Sequence, residues 1–199
     1  FYSTLAIWVG AVVMAAMLKV TVADSTKKKL SHPKEYQLYI GRILLLIIIG
    51  FMQSALICLG DLFFLGIQCK HPVMFVLTGM FTSFVYVNLI YALTVSFGDI
   101  GKAIAVVLMV MQVAGSGGTF PIQCAPKFFQ AVYPLLPFTH SMNAMRECIA
   151  GFYETTYATE LGKLAIFLVP SLLLGLLLRK PIIKMNDAFM EKLESTHLI

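Results

Sequence analysis

The chain has 199 residues, of which 59% are hydrophobic and only 13% charged. A soluble domain carries about 25% charged residues, so this composition excludes a soluble enzyme, a disordered tail and a disulfide scaffold, and describes a single membrane domain. The formal net charge of +5 comes from 15 Lys and Arg against 10 Asp and Glu. That excess lies in loops between apolar runs, which makes it an orientation signal rather than a nucleic-acid footprint, and no nucleic-acid binding is expected.

Backbone amides in lipid must bond within their own segment, so an apolar run of about 20 residues predicts a spanning helix. The first run covers residues 1–18 and has no charge. It starts without Met, basic flank or cleavage site, which argues against a signal peptide and for missing upstream sequence. Residues 19–37 form a basic loop with Lys27, Lys28, Lys29 and Lys34. It reads either as a topology anchor that also meets anionic lipid or as a docking surface for a cytoplasmic partner. The second span is 38–60, with Arg42 near its start, placed to snorkel. The third is 73–98. The fourth is 103–120, an apolar stretch that meets Gly115-Ser116-Gly117-Gly118 and must continue through the glycines or bend.

Residues 121–160 are expected to form an outer helical segment. Pro126 opens a short helix bearing Phe128 and Phe129; Pro134 to Pro137 form a turn; Thr139 is the expected N-cap of a helix running to Ala150 and ended by Gly151. On that helix Met142, Met145, Ile149 and Phe152 make an apolar stripe, while His140, Asn143 and Glu147 share another face. Such a re-entrant or interfacial hairpin persists in lipid only when packed against spans. The fifth span is 161–178, stopped by Arg179-Lys180-Pro181. Residues 179–199 form a cytoplasmic tail in which Met185, Phe189 and Leu193 mark a short interfacial amphipathic helix.

Loop charge orients these five spans. Lys19, Lys27, Lys28, Lys29, Lys34, Lys102, Arg179, Lys180, Lys184 and Lys192 fall on one side; Lys70, Lys127, Arg146 and Lys163 fall on the other. The richer side is cytoplasmic, which puts the N-terminus outside and the C-terminus inside a multi-pass plasma-membrane protein.

No chemistry of an enzyme is written in the residues. The only glycine cluster lacks the Lys of a phosphate loop. The four His are scattered without metal-ligand spacing, and Cys69-Lys70-His71 is a weak motif. A bridge among Cys69, Cys124 and Cys148 would leave one thiol over, so free thiols are the default. No cofactor is expected. Acidic residues sit at span ends, unlike those of a proton-coupled pump. Gln53, Asn88 and Gln112 are candidate polar glue between helices, and Gly10, Gly41 and Gly50 candidate close-approach positions at a dimer interface along a cargo path.

The stretch from Gly115 to Tyr153 carries Gly117-Gly118-Thr119-Phe120-Pro121, then Phe128-Phe129-Gln130-Ala131, then Pro134 to Pro137, then Ala144-Met145-Arg146-Glu147. It resembles the phage-infection-protein (Pip/YhgE) family, and Tyr2 to Ala11 and Arg179 to Ile199 are similar to that family's entry span and tail. The resemblance implies the C-terminal membrane domain of a longer protein with a missing extracellular domain. It also implies similarity to type-2 ABC exporter membrane domains. Those have a cytoplasmic coupling segment, here on Lys27, Lys28, Lys29 and Lys34, and short outer helices before the last span. Implied partners are a second copy of the chain, a separate cytoplasmic nucleotide-binding subunit, and a phage or secretion machine reached through the extracellular domain.

Overall fold

The computed structural model describes residues 1–18 and 35–178. The basic loop with Lys27, Lys28, Lys29 and Lys34, and the tail with its Met185, Phe189, Leu193 stripe, lie outside the described residues. The elements described are all helices, with no strand among the described residues.

Helix α1 covers Tyr2–Met17, α2 Glu35–Phe63, α3 Pro72–Phe97 and α4 Asp99–Gly115. A connection with 3-10 turns at Ile122–Cys124 and Tyr133–Leu135 carries the short α5, Lys127–Val132. Helix α6 is Pro137–Ala150, α7 Thr156–Ile166 and α8 Leu168–Leu172, continued by a π-helical turn at Leu173–Leu178. Among the described residues, three stretches are long and apolar enough to cross a membrane: Gln37–Phe63, Pro72–Phe97 and Thr156–Leu176. Helix α1, with 16 residues, and α4, with 17, rise about 24 and 26 Å, short of the ~30 Å hydrocarbon core.

Helix α3 is the axis of the bundle. It packs against α1, α2, α4, α6, α7, α8 and the π turn. Much of this helix is buried away from water, and several of its polar side chains close on nearby carbonyls, while the buried Thr82 Oγ1 finds no partner among the described residues. Thr78 donates to the Met74 carbonyl at 2.7 Å, Asn88 to Phe84 at 2.7 Å and Thr94 to Ile90 at 2.8 Å. Asn88 is thus satisfied within its own helix and is not interhelical glue. Ser83 does bridge helices, donating to the Gly50 carbonyl of α2 at 2.9 Å.

Two of the three candidate close-approach glycines are occupied inside this chain. A Cβ on Gly10 would fall 1.3 Å from Gln53 Nε2, which donates to the Ala6 carbonyl at 3.4 Å. A Cβ on Gly50 would fall 2.8 Å from Ser83 Oγ. These glycines let α1, α2 and α3 approach within one protomer, which corrects their assignment to an interface between copies. Gly41 meets nothing within 4 Å.

The fourth run starts earlier and stops sooner than the 103–120 segment. Gly98, at φ +62, turns the chain straight from α3 into α4, whose first-turn Asp99 accepts from Lys102 at 2.8 Å. The helix then ends at Gly115 and the chain bends at Gly117, at φ +65, instead of running on to Phe120. The last run is broken at Phe167. Pro170 has no N–H for the Ile166 carbonyl, so the backbone shifts register there and widens into the π turn. Ser96 of α3 donates to the Leu174 carbonyl in that turn at 3.3 Å.

Candidate functional site: the docked helical hairpin

Several contacts gather at one end of the bundle. Ser3 donates to Asp61 at 2.5 Å, joining the start of α1 to the end of α2. Lys70 and His71 amides donate to the Ile149 and Cys148 carbonyls at 3.2 and 3.1 Å, joining the α2–α3 loop to the end of α6. The Phe1 ring stands edge-on to Phe138 at 5.4 Å and fills the space a Cβ on Gly118 would need. The segment from Gly115 to Glu160 is therefore seated on the same end as these helix termini.

Helix α6 is the buried member of the hairpin. Pro137, Phe138, Thr139, His140, Ser141, Met142, Ala144, Met145 and Cys148 are all buried. Its N-terminus differs from the expected cap at Thr139. The cap lies three residues earlier, at Leu136, and the helix opens on Pro137, whose ring fixes a helical φ. The first-turn Phe138 N–H finds its acceptor across space, in the Gln112 side chain of α4 at 3.2 Å. Gln112 is thus interhelical glue, as is Gln53. Thr139 Oγ1, Ser116 Oγ and Gln112 Nε2 are buried at this junction without a hydrogen-bond partner among the described residues. Deeper down, the Tyr86 and Ser141 hydroxyls bond to each other, and Ser141 also donates to the Phe138 carbonyl at 3.0 Å. Thr4 donates to Met145 Sδ at 3.3 Å. Gly151, at φ +107, ends the helix where expected.

The remaining motif residues fall on the hairpin's rim. Arg146 donates to the Gly117 carbonyl at 3.4 Å, tying the glycine turn to α6. Glu147 accepts from the Tyr153 amide at 2.7 Å and closes the loop into α7. Phe129 packs on Gly115, while Phe120, Phe128 and Leu135 are exposed. Pro121 precedes the first 3-10 turn, and the carbonyl of Pro134 accepts from His140 Nε2 at 2.9 Å.

Two groups of this end were not legible as a unit in the sequence. His140 Nδ1 lies 2.7 Å from Glu160 Oε2, and Lys163 donates to Glu160 Oε1 at 2.8 Å. On the same face of the helix as His140, Asn143 donates to the Tyr133 phenol at 3.3 Å. In the second group, Thr78 bonds to the Tyr157 hydroxyl at 2.9 Å and meets Cys148 Sγ at 3.4 Å, while Cys69 Sγ reaches the Cys148 carbonyl at 3.3 Å. All four cysteines are free thiols, and burial pushes that of Cys148 up from its ordinary value.

Long apolar helices, with a second helical element docked at one end, describe a membrane domain. The sequence matches the family model for ABC-2 family transporter protein over residues 1–177. This chain belongs to the ABC-2 transporter family. The ABC-2 domain is also 28% identical over 134 residues to a Bacillus subtilis (strain 168) protein named "Uncharacterized protein YhgE". The alignment covers 67% of this chain and 17% of YhgE. No solved structure matches the chain. The resemblance read from the hairpin motif is therefore a family relationship: a Pip/YhgE-like ABC-2 membrane domain.

Proposed function

We propose that this ABC-2 domain works as the permease part of an exporter. It has five spans, with the N-terminus outside and the C-terminus inside, and its helical hairpin lies on the outer face. Two copies pair, and the cargo, amphiphilic or a peptide, moves at the interface between them. Lys27, Lys28, Lys29 and Lys34 dock a separate cytoplasmic ATPase, since the residues of this chain include no nucleotide-binding loop of their own. The observation that carries this reading is the seating of α6. A helix held by Gln112, Tyr86 and Thr4 from three different helices is coupled to the bundle and moves with it. A membrane anchor has no need of such coupling.

The test is co-purification of a nucleotide-binding subunit with the protein and with a Lys27→Glu, Lys28→Glu, Lys29→Glu variant. Loss of the subunit in the variant supports the docking role. An intact complex overturns it.

A second reading is favoured by the alignment, which covers only 17% of YhgE. There the spans anchor an extracellular domain used by a phage or a secretion machine, and nothing is transported. Replacing the spans with one unrelated helix separates the two. Retained phage DNA entry favours the anchor; lost entry with normal adsorption favours an active membrane role.

A further inference from the structure

His140 is fully enclosed between two acceptors. Its side chain is 5% exposed and that of Glu160 11%. Nε2 faces the Pro134 carbonyl at 2.9 Å, and a carbonyl oxygen can only accept. Nδ1 faces Glu160 Oε2 at 2.7 Å, and an ionised carboxylate can only accept. A neutral imidazole has one N–H and cannot serve both. The geometry is satisfied only when the pair holds one proton more than a neutral ring and an ionised acid hold between them.

The three partners belong to different parts of the molecule. His140 is on α6, Pro134 in the 3-10 turn before it, and Glu160 on α7, one turn into the Thr156–Leu176 stretch. We propose that His140 and Glu160 form a proton-binding site: with the proton bound, an imidazolium ties the hairpin to the last span, and without it that tie is lost. This rests on the proposed orientation only for the side from which the proton arrives.

The other charged and titratable groups nearby are accounted for. Lys163 holds the second oxygen of Glu160 and keeps that acid ionised while the ring carries the proton. Lys163 is 47% exposed, so the site reaches the surface of the protein along its side chain. From α3, Tyr86 is engaged with Ser141. Tyr157 of α7 is engaged with Thr78, and Tyr133 of the 3-10 turn with Asn143. On α6, Arg146, Glu147 and Cys148 bond to Gly117, Tyr153 and Thr78. The ring of Phe167 closes the remaining side at 6.2 Å between ring centres.

When the proton leaves, one ring nitrogen turns a lone pair toward an acceptor. The charge-assisted bond to Glu160 or the bond to Pro134 is lost, and α6 is no longer tied at both ends of the ring.

The experiment is amide hydrogen exchange of residues 133–150 in the protein held in lipid nanodiscs, corrected for intrinsic rates, compared between about pH 5 and about pH 9. Protection should fall at least about tenfold at the higher pH, the loss expected of one charge-assisted hydrogen bond. Glu160→Gln should abolish the fall and keep the hairpin protected at both pH values, because the glutamine amide donates to Nδ1 of a neutral ring. His140→Gln should remove the pH dependence as well. A pH-independent wild-type profile overturns the proposal, as does a pH dependence that survives in His140→Gln. If either variant fails to fold, the wild-type profile alone decides. Labelling of Cys124 from the wrong side of the membrane would reverse the orientation and leave the pH profile as the test of this site.

Discussion

Gly79 sits where α2, α3 and α6 meet, and adding one methyl there probes the packing that seats the hairpin. A Cβ on Gly79 would lie 2.4 Å from Cys58 Sγ and 3.3 Å from Met145 Cε. Ordinary contact begins near 3.4 Å, so the thiol or its helix must retreat by about 1 Å. Cys58 is fully buried and its side chain is one atom beyond Cβ, so it has little room to turn aside. The Met145 side chain is flexible and gives way at little cost. Gly79→Ala should therefore destabilise by about 1–3 kcal/mol, the range for overpacking a filled core. That is about 2–4 °C in melting temperature for each kcal/mol in a chain of this size. Cys58→Ala removes the obstructing sulfur. In the Gly79→Ala background it should restore most of the loss, whereas alone it leaves a small cavity and costs about 1 kcal/mol. The assay is thermal unfolding in detergent, followed by the fluorescence of the single tryptophan, which is buried on α1 as Trp8. Gly41→Ala, where nothing lies within 4 Å, is the matched control and should be neutral or slightly stabilising. A neutral Gly79→Ala, or a double variant no better than the single one, would refute the close contact.

Other outcomes follow from the same geometry. Gln112→Leu removes the acceptor of the Phe138 amide and should destabilise by about 1–2 kcal/mol, at the lower part of the cost of an orphaned buried donor, because it also removes the unpartnered Gln112 amide nitrogen. Unchanged melting with unchanged exchange of the first turn of α6 would contradict the through-space cap. At neutral pH in detergent, exposed Cys124 should react with a maleimide well before Cys148. Burial raises the Cys148 thiol and so lowers its thiolate fraction, and the gap should close on unfolding. Equal rates in the native protein would count against that burial.

Much of the architecture was readable from the sequence because lipid imposes one demand, that apolar runs close their own backbone bonds. The runs at 38–60 and 73–98 correspond to α2 and α3, and Gly151 ends α6 as a C-terminal glycine should. The hairpin's helices followed from Pro126, the turn at Pro134 to Pro137 and the apolar stripe at Met142 and Met145, although the second helix opens on Pro137 itself. What stayed hidden depends on contacts between distant segments. Thr139 has the chemistry of an N-cap, but the cap comes from Gln112, 26 residues away. The His140–Glu160 pair joins residues 20 apart on two helices, and no local spacing marks it. Gly10 and Gly50 carry the signal of close approach, yet sequence cannot say whether the approaching helix belongs to the same copy. The break at Phe167 did have a local signal, Pro170, inside a run otherwise apolar enough to hide it.

The central claim is a membrane-threaded bundle with its hairpin on the outer face and its basic loop on the inner one. It is tested most directly by a membrane-impermeant maleimide applied to intact cells. The native Cys124, on the hairpin's exposed rim, should be labelled at once, while a Ser25→Cys variant beside Lys27 should gain a second label only after the membrane is permeabilised. Labelling of Ser25→Cys at position 25 from outside, with Cys124 protected until permeabilisation, would contradict the account.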